Sequence, residues 1–179
     1  MEFTDSTLLG AGGEVIEADE TYIGRQTGVK KAKAGRAHKR KVFALVERGG
    51  KVKSAHVSGS MFDGIKEGLK HVSPDANLVT DESTMYRKVG KAFASHETVN
   101  HSIKEWKRGN AHTNTIESYF SVFKRGMRGV YQHCREDHLH RYLSEFDFRH
   151  NHRSALEIND VQRAEKILEG VGGKRLTYR

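Results

Sequence analysis

Residues 13–25, GEVIEADETYIGR, decide how the chain is read. Val15, Ile16, Thr21, Tyr22 and Ile23 are residue types that strands favour, yet Glu17, Asp19 and Glu20 are embedded among them. An acid inside an apolar strand is costly unless it is paired or binds a metal. The stretch therefore predicts a strand with chemistry on it. A strand buried on both faces gives no alternation to separate Asp19 from Glu20 as the group that points at a site.

Working outward, residues 25–41, RQTGVKKAKAGRAHKRK, hold eight Lys or Arg and no acid, the composition of a solvated loop. Residues 41–59 then read as a β-hairpin, two β-rich runs around Gly49-Gly50. MFDGIKEGLKHV, 61–72, reads as a short helix with Ile65, Leu69 and Val72 in register. ANLVTDES, 76–83, reads as a short buried strand ending in Asp81 and Glu82. TMYRKVGKAFAS, 84–95, reads as a helix and HETVNHSI, 96–103, as a strand. Residues 112–129, HTNTIESYFSVFKRGMRG, carry apolar residues at 116, 119, 120, 123 and 127, a helical stripe. A further helix is expected from about Arg135 to His150, with Leu139, Tyr142, Leu143 and Phe146 on its core face. Three strands able to pair antiparallel, followed by alternating strands and helices, predict an α/β fold with a mixed sheet covered by helices. Residues 1–13 are polar and Gly-rich, expected to be a flexible lead-in to a domain spanning 14–179.

The 179 residues include 31 Lys plus Arg against 23 Asp plus Glu, a formal charge of +8 that makes a polyanion, nucleic acid first, the partner to consider. Cys134 is the single cysteine, which excludes an internal disulfide and a cysteine-based zinc site. No basic, then apolar, leader opens the chain and no apolar run approaches membrane-spanning length, so no membrane partner is expected.

Asp19 in one strand, Asp81 at the C-terminal end of another and Glu117 on the polar face of a helix come from three separate elements. Open α/β sheets place their sites at strand C-terminal ends. Three carboxylates converging there suit two-metal phosphoryl transfer, because hard divalent cations want oxygen ligands. The plainer alternatives are an edge residue for Asp19, a helix N-cap for Asp81, and an exposed ion-pair partner of Lys124 for Glu117. His133, Cys134, His138 and His140 cluster in sequence, but on a helix His138 and His140 point about 200° apart, which disfavours zinc. Trp106, in a polar link, suits either a base stack or a loop anchor.

EADETYIG, VTDES, HTNTIESYFSVFKRGMRGVYQH and HLHRYLSEFDFRHNHR occur in an order that resembles the ISXO2-like DDE transposase domain of bacterial insertion sequences. The terminal GKRLTYR is also similar to that family's ending. The resemblance implies a ribonuclease H-like fold, a mixed five-stranded sheet flanked by helices. It implies a catalytic triad of Asp19, Asp81 and Glu117 that holds Mg²⁺ or Mn²⁺, two ions, with Lys124 beyond it. Some family members have asparagine as the third ligand, which would be Asn114. A carboxylate is the better ligand for a hard cation, which favours Glu117. Lys124 follows Glu117 by seven residues, about 20° away around the helix axis, where it can hold DNA phosphate.

The implied reaction is hydrolysis at a transposon end, then attack of the exposed 3′-hydroxyl on target DNA. The implied partner is double-stranded DNA, bound by a homo-oligomer in the cytoplasm at the nucleoid. Phosphate contacts are expected from Lys124, Arg125 and Arg128, and from Lys30, Lys31, Lys33, Arg36, Lys39 and Arg40 of the basic loop. The family's usual N-terminal zinc ribbon is not expected here. A remnant that binds DNA without autonomous transposition, and a nuclease on the same fold, are the alternatives.

Overall fold

The embedded-acid stretch forms β1 (Val15–Ile23), and it is the middle strand of a five-stranded sheet ordered β3-β2-β1-β4-β5. The computed structural model describes residues 7–100, 111–132 and 134–171; the end of HETVNHSI, Trp106, His133 and the terminal GKRLTYR lie outside them. The basic segment leads into β2 (Arg40–Glu47), which turns through Gly49, at φ +71°, into β3 (Val52–Val57). That left-handed position is one where glycine costs nothing and other residues are strained. β1 pairs antiparallel with β2, and β2 with β3. Next come α1 (Met61–Leu69) and β4 (Asn77–Asp81), and β4 runs parallel to β1. After a short α2 (Tyr86–Val89), β5 (Ser95–Val99) adds parallel to β4. The predicted mixed sheet is therefore the observed one, an α/β arrangement consistent with the ribonuclease H-like fold.

β1 is covered on both faces, as its lack of alternation implies. Ile16 and Ala18 point into a core with Phe43, Leu45, Ile65 and Leu69 under α1. The opposite face of the sheet packs on α3 (Asn114–Gly129) and α4 (Leu139–Asn151). The helical stripe Ile116, Tyr119, Phe120, Phe123 and Met127 is buried as predicted, each large side chain contributing roughly 1.5–3 kcal/mol of transfer free energy. Phe123 meets Phe146 edge-on, with ring centroids 5.3 Å apart.

Three details differ from expectation. The helix expected over 84–95 is one turn of α-helix followed by a 3-10 turn at Gly90–Ala92. Gly90, where the α-helix gives way to that turn, lies against His96 of β5, and a Cβ there would come within 2.1 Å of the ring. The helix expected from Arg135 begins at Leu139, after a 3-10 turn at Glu136–His138. A fifth helix, α5 (Asp160–Val171), follows α4. Within the leading segment, Leu9 is buried and bridges Val72 beside the first core.

Candidate active site

β1 and β4 bring the two aspartates together through their register. Val15 pairs with Asn77 and Glu17 with Val79, an offset of 62 that, carried on, sets Asp19 opposite Asp81. Asp81 is the last residue of β4, and Asp19 lies midway along β1, just past the residues that pair with β4. Asp19 is half-buried and its Oδ1 accepts the Glu20 N–H at 2.7 Å. Burial pushes the Asp19 carboxyl up to about 8; the charges of Glu20, Asp81 and Glu117 add to the rise, and the Glu20 N–H partly offsets it. Asp81 Oδ1 accepts the Ser83 N–H at 3.0 Å. Glu20 is held by the buried Tyr86, whose hydroxyl donates to Oε2 at 2.7 Å. Burial raises the Glu20 carboxyl as well, and the Tyr86 hydrogen bond opposes that rise.

α3 supplies the third acid. Glu117 is exposed in its first turn, and Thr113 Oγ1 donates to Glu117 Oε1 at 2.7 Å. Asn114, the other candidate, is the exposed first residue of α3. Lys124 lies further along the same helix, its Nζ 5.9 Å from the centre of the Phe120 ring. Partial burial lowers its ammonium pKa; Asp19 opposes that shift, and Arg128, Arg36 and Lys39 reinforce it. One lysine thus feels an acid of β1 together with cations of α3 and of the basic loop.

The basic loop folds back toward this edge. Arg36 stands over the Tyr22 ring at 5.1 Å. Lys39 and Arg128 line an open cavity of about 950 Å³ together with Tyr22, Arg25 and Tyr131. Arg40 lines it too, but its guanidinium is committed to the main chain, donating to Arg25 O at 2.9 Å and Cys134 O at 2.7 Å. Lys30, Lys31, Lys33 and Arg125 are exposed. His138 and His140 are exposed as well.

Among the described residues, no three His, Cys, Asp or Glu side chains are gathered at metal-holding distance. The carboxylates are instead turned to separate protein donors, as given above. The donor chemistry nonetheless fits a hard divalent cation: oxygen ligands only, on adjoining elements, with one acid raised by burial and by the negative charge of its neighbours.

Sequence reasoning passed over two residues that the structure ties to this edge. Glu17 is fully buried and reaches the N-terminus of α3, and Thr113 holds Glu117. The signal for Glu17 was its spacing of two from Asp19, which puts both on one face of β1. Thr113 carried a weaker one, a threonine immediately before a helical stripe.

A mixed sheet ordered 3-2-1-4-5, with Asp81 ending β4 and Asp19 opposite it on β1, is an arrangement consistent with the ribonuclease H-like class. The sequence profile of the ISXO2-like transposase domain matches residues 9–151, and the chain belongs to that family. The matched segment runs through α4, so α5 lies beyond it. No curated protein matches the chain significantly.

Proposed function

We propose that this transposase domain is a DDE catalytic core that hydrolyses a phosphodiester at the end of an insertion sequence and transfers the strand to target DNA. The observation that supports it most is the β1–β4 register, which, carried on, sets Asp19 opposite Asp81, with Glu117 in the first turn of α3 and held there by Thr113. Asp19, Asp81 and Glu117 would hold two divalent ions, Mg²⁺ or Mn²⁺, with Asn114 as the other candidate for the third ligand. When bound, such ions activate the attacking oxygen and stabilise the leaving oxygen of an in-line displacement. Lys124 sits where it can neutralise a phosphate beside the acids. Lys39 and Arg128 extend that positive surface along the cavity, and Arg36 adds to it from above the Tyr22 ring, a path suited to a DNA backbone. Duplex DNA is the substrate and target in this reading, the cytoplasm and nucleoid its setting, and a homo-oligomer its form on paired ends. No described helix is long and apolar enough to cross a membrane.

The test is cleavage and joining of labelled duplexes with Mg²⁺ or Mn²⁺, using intact ends, pre-cut ends and branched strand-transfer products. Loss of activity in Glu117→Gln with survival in Asn114→Ala is the expected result. Activity indifferent to Glu117 would move the third ligand elsewhere. Cutting without joining would make the protein a nuclease, and DNA binding with no turnover would make it a remnant.

A further inference from the structure

Glu17 and Thr113 exchange the roles that their positions would ordinarily give them. Thr113 is the N-cap residue of α3, where a threonine hydroxyl usually accepts an N–H from the first turn. Here its side chain makes no cap bond. The first-turn N–H groups go to Glu17 instead, across 98 and 99 residues: Thr115 N–H and Ile116 N–H each lie 2.9 Å from Glu17 Oε2. Thr115 Oγ1 donates to Glu17 Oε1 at 2.9 Å, and Arg48 Nε approaches the same oxygen at 2.6 Å. Arg48 Nη2 also donates to His112 O at 2.7 Å, which fixes the chain just before the helix. A negative carboxylate at the positive end of α3 is favoured both by the unsatisfied N–H groups and by the helix dipole.

With the cap supplied by β1, the Thr113 hydroxyl is turned onward to Glu117 Oε1. We infer that Glu17 is a positioning residue: by capping α3 from β1 it commits Thr113 to orienting Glu117, and so couples the strand of Asp19 to the helix of the third acid. The inference rests on Glu117 being a ligand, as proposed above. Glu17 lies two residues from Asp19 on one face of β1, so a single rigid strand sets both ends of the arrangement. Hydrogen-bond partners of ligating carboxylates commonly change metal affinity about 10–100-fold when removed.

The experiment is thermal denaturation of the full chain across a Mn²⁺ titration, read as the half-saturating concentration for stabilisation. Thr113→Val keeps the shape and removes the hydroxyl, Thr113→Ser restores it, and Glu17→Gln puts an amide in place of one of the carboxylate oxygens. Thr113→Val is expected to raise half-saturation about tenfold or more, with little change in metal-free melting, and Thr113→Ser to recover it. Glu17→Gln is expected to lower metal-free melting and also to weaken Mn²⁺. Combined with Thr113→Val, it should weaken Mn²⁺ no further than the larger single effect, because both act through Glu117. A Glu17→Gln variant that melts earlier by the same amount at every Mn²⁺ concentration, or a Thr113→Val variant with wild-type half-saturation, would overturn the inference. Asp19→Asn and Glu117→Gln separate the two failures. If they weaken Mn²⁺ while the Glu17 and Thr113 variants do not, the proposed function stands and the positioning role falls. If neither alters Mn²⁺ stabilisation, or the wild type shows none, both fall together.

Discussion

Asp147 shows what one buried acid does to the energetics of this fold. It lies on α4, and its carboxylate reaches β3. Oδ2 accepts the Ser54 N–H at 2.8 Å; Oδ1 accepts the Ser54 hydroxyl at 2.7 Å and the Tyr119 hydroxyl at 2.6 Å. Burial still outweighs these donors and pushes the carboxyl from 3.8 up to about 7. Between those values the unfolded chain has released the proton and the native chain keeps it. Native stability therefore falls as pH rises from about 4 to about 7 and the loss is complete above that, with an upper bound of about 4 kcal/mol from this group. Asp147→Asn removes the charge and can keep the network, its oxygen accepting the Ser54 N–H and its amide donating to a hydroxyl. Urea denaturation at pH 5 and pH 8 is expected to show a smaller decline in stability for the Asp147→Asn variant than for the wild type. Equal declines in both would mean that Asp147 is ionised throughout.

At the scale of elements, α1 seats on the sheet through a glycine. A Cβ on Gly64 would come within 2.6 Å and 2.7 Å of the two methyls of Val57 on β3. Valine is β-branched and stiff at χ1, so rotation does not relieve the clash. Gly64→Ala gains about 1 kcal/mol in helix propensity, yet overpacking at such a contact costs about 1–3 kcal/mol. The expected outcome is a net loss of stability in chemical denaturation; a variant more stable than wild type would show that α1 shifts freely. Elements of this kind were legible where one local signal ran their full length: β-favouring residue types in β1 and the β2–β3 hairpin, and a helical stripe in α3. The helix expected at 84–95 gives way to a 3-10 turn at Gly90, and the packing of Gly90 on His96 of β5 is something no local pattern carries. α5 did leave a local signal: Asn159 Oδ1 accepts the Gln162 N–H at 2.9 Å and Gln162 Oε1 the Asn159 N–H at 3.0 Å, a reciprocal cap. Its apolar positions Val161, Ile167 and Leu168 are exposed, so core packing adds little to that pattern. The acids Asp19, Asp81 and Glu117 were legible as candidates because each sits at a distinctive place in its own element. The tie between Glu17 and α3 was not, because it joins residues about 98 positions apart.

Across the whole molecule, the formal charge of +8 is a sum, and its placement is what a polyanion meets. The charges of Arg128, Arg36 and Lys39 all act on Lys124, at the edge where Asp19 acts on it too. Lys66 and Lys70 belong to the α1 side of the sheet, and Lys70 is paired with Glu67 at 2.8 Å. Neutralising a lysine or arginine that contacts phosphate reduces the number of counterions released on binding. Each such contact contributes about 0.9 to the slope of log affinity against log salt on duplex DNA. Arg128→Ala and Lys39→Ala are therefore each expected to shallow that slope by about one and to weaken binding similarly on unrelated sequences. Lys66→Ala, which lowers the net charge by the same amount, is expected to leave the slope unchanged. Fluorescence anisotropy of a labelled duplex across a salt series measures all three. If Lys66→Ala shallows the slope as much as Arg128→Ala, DNA responds to the total charge and the cavity edge is not its path. A slope that changes only with Lys39 and Arg128 would locate the backbone along the edge where Lys124 stands beside Asp19.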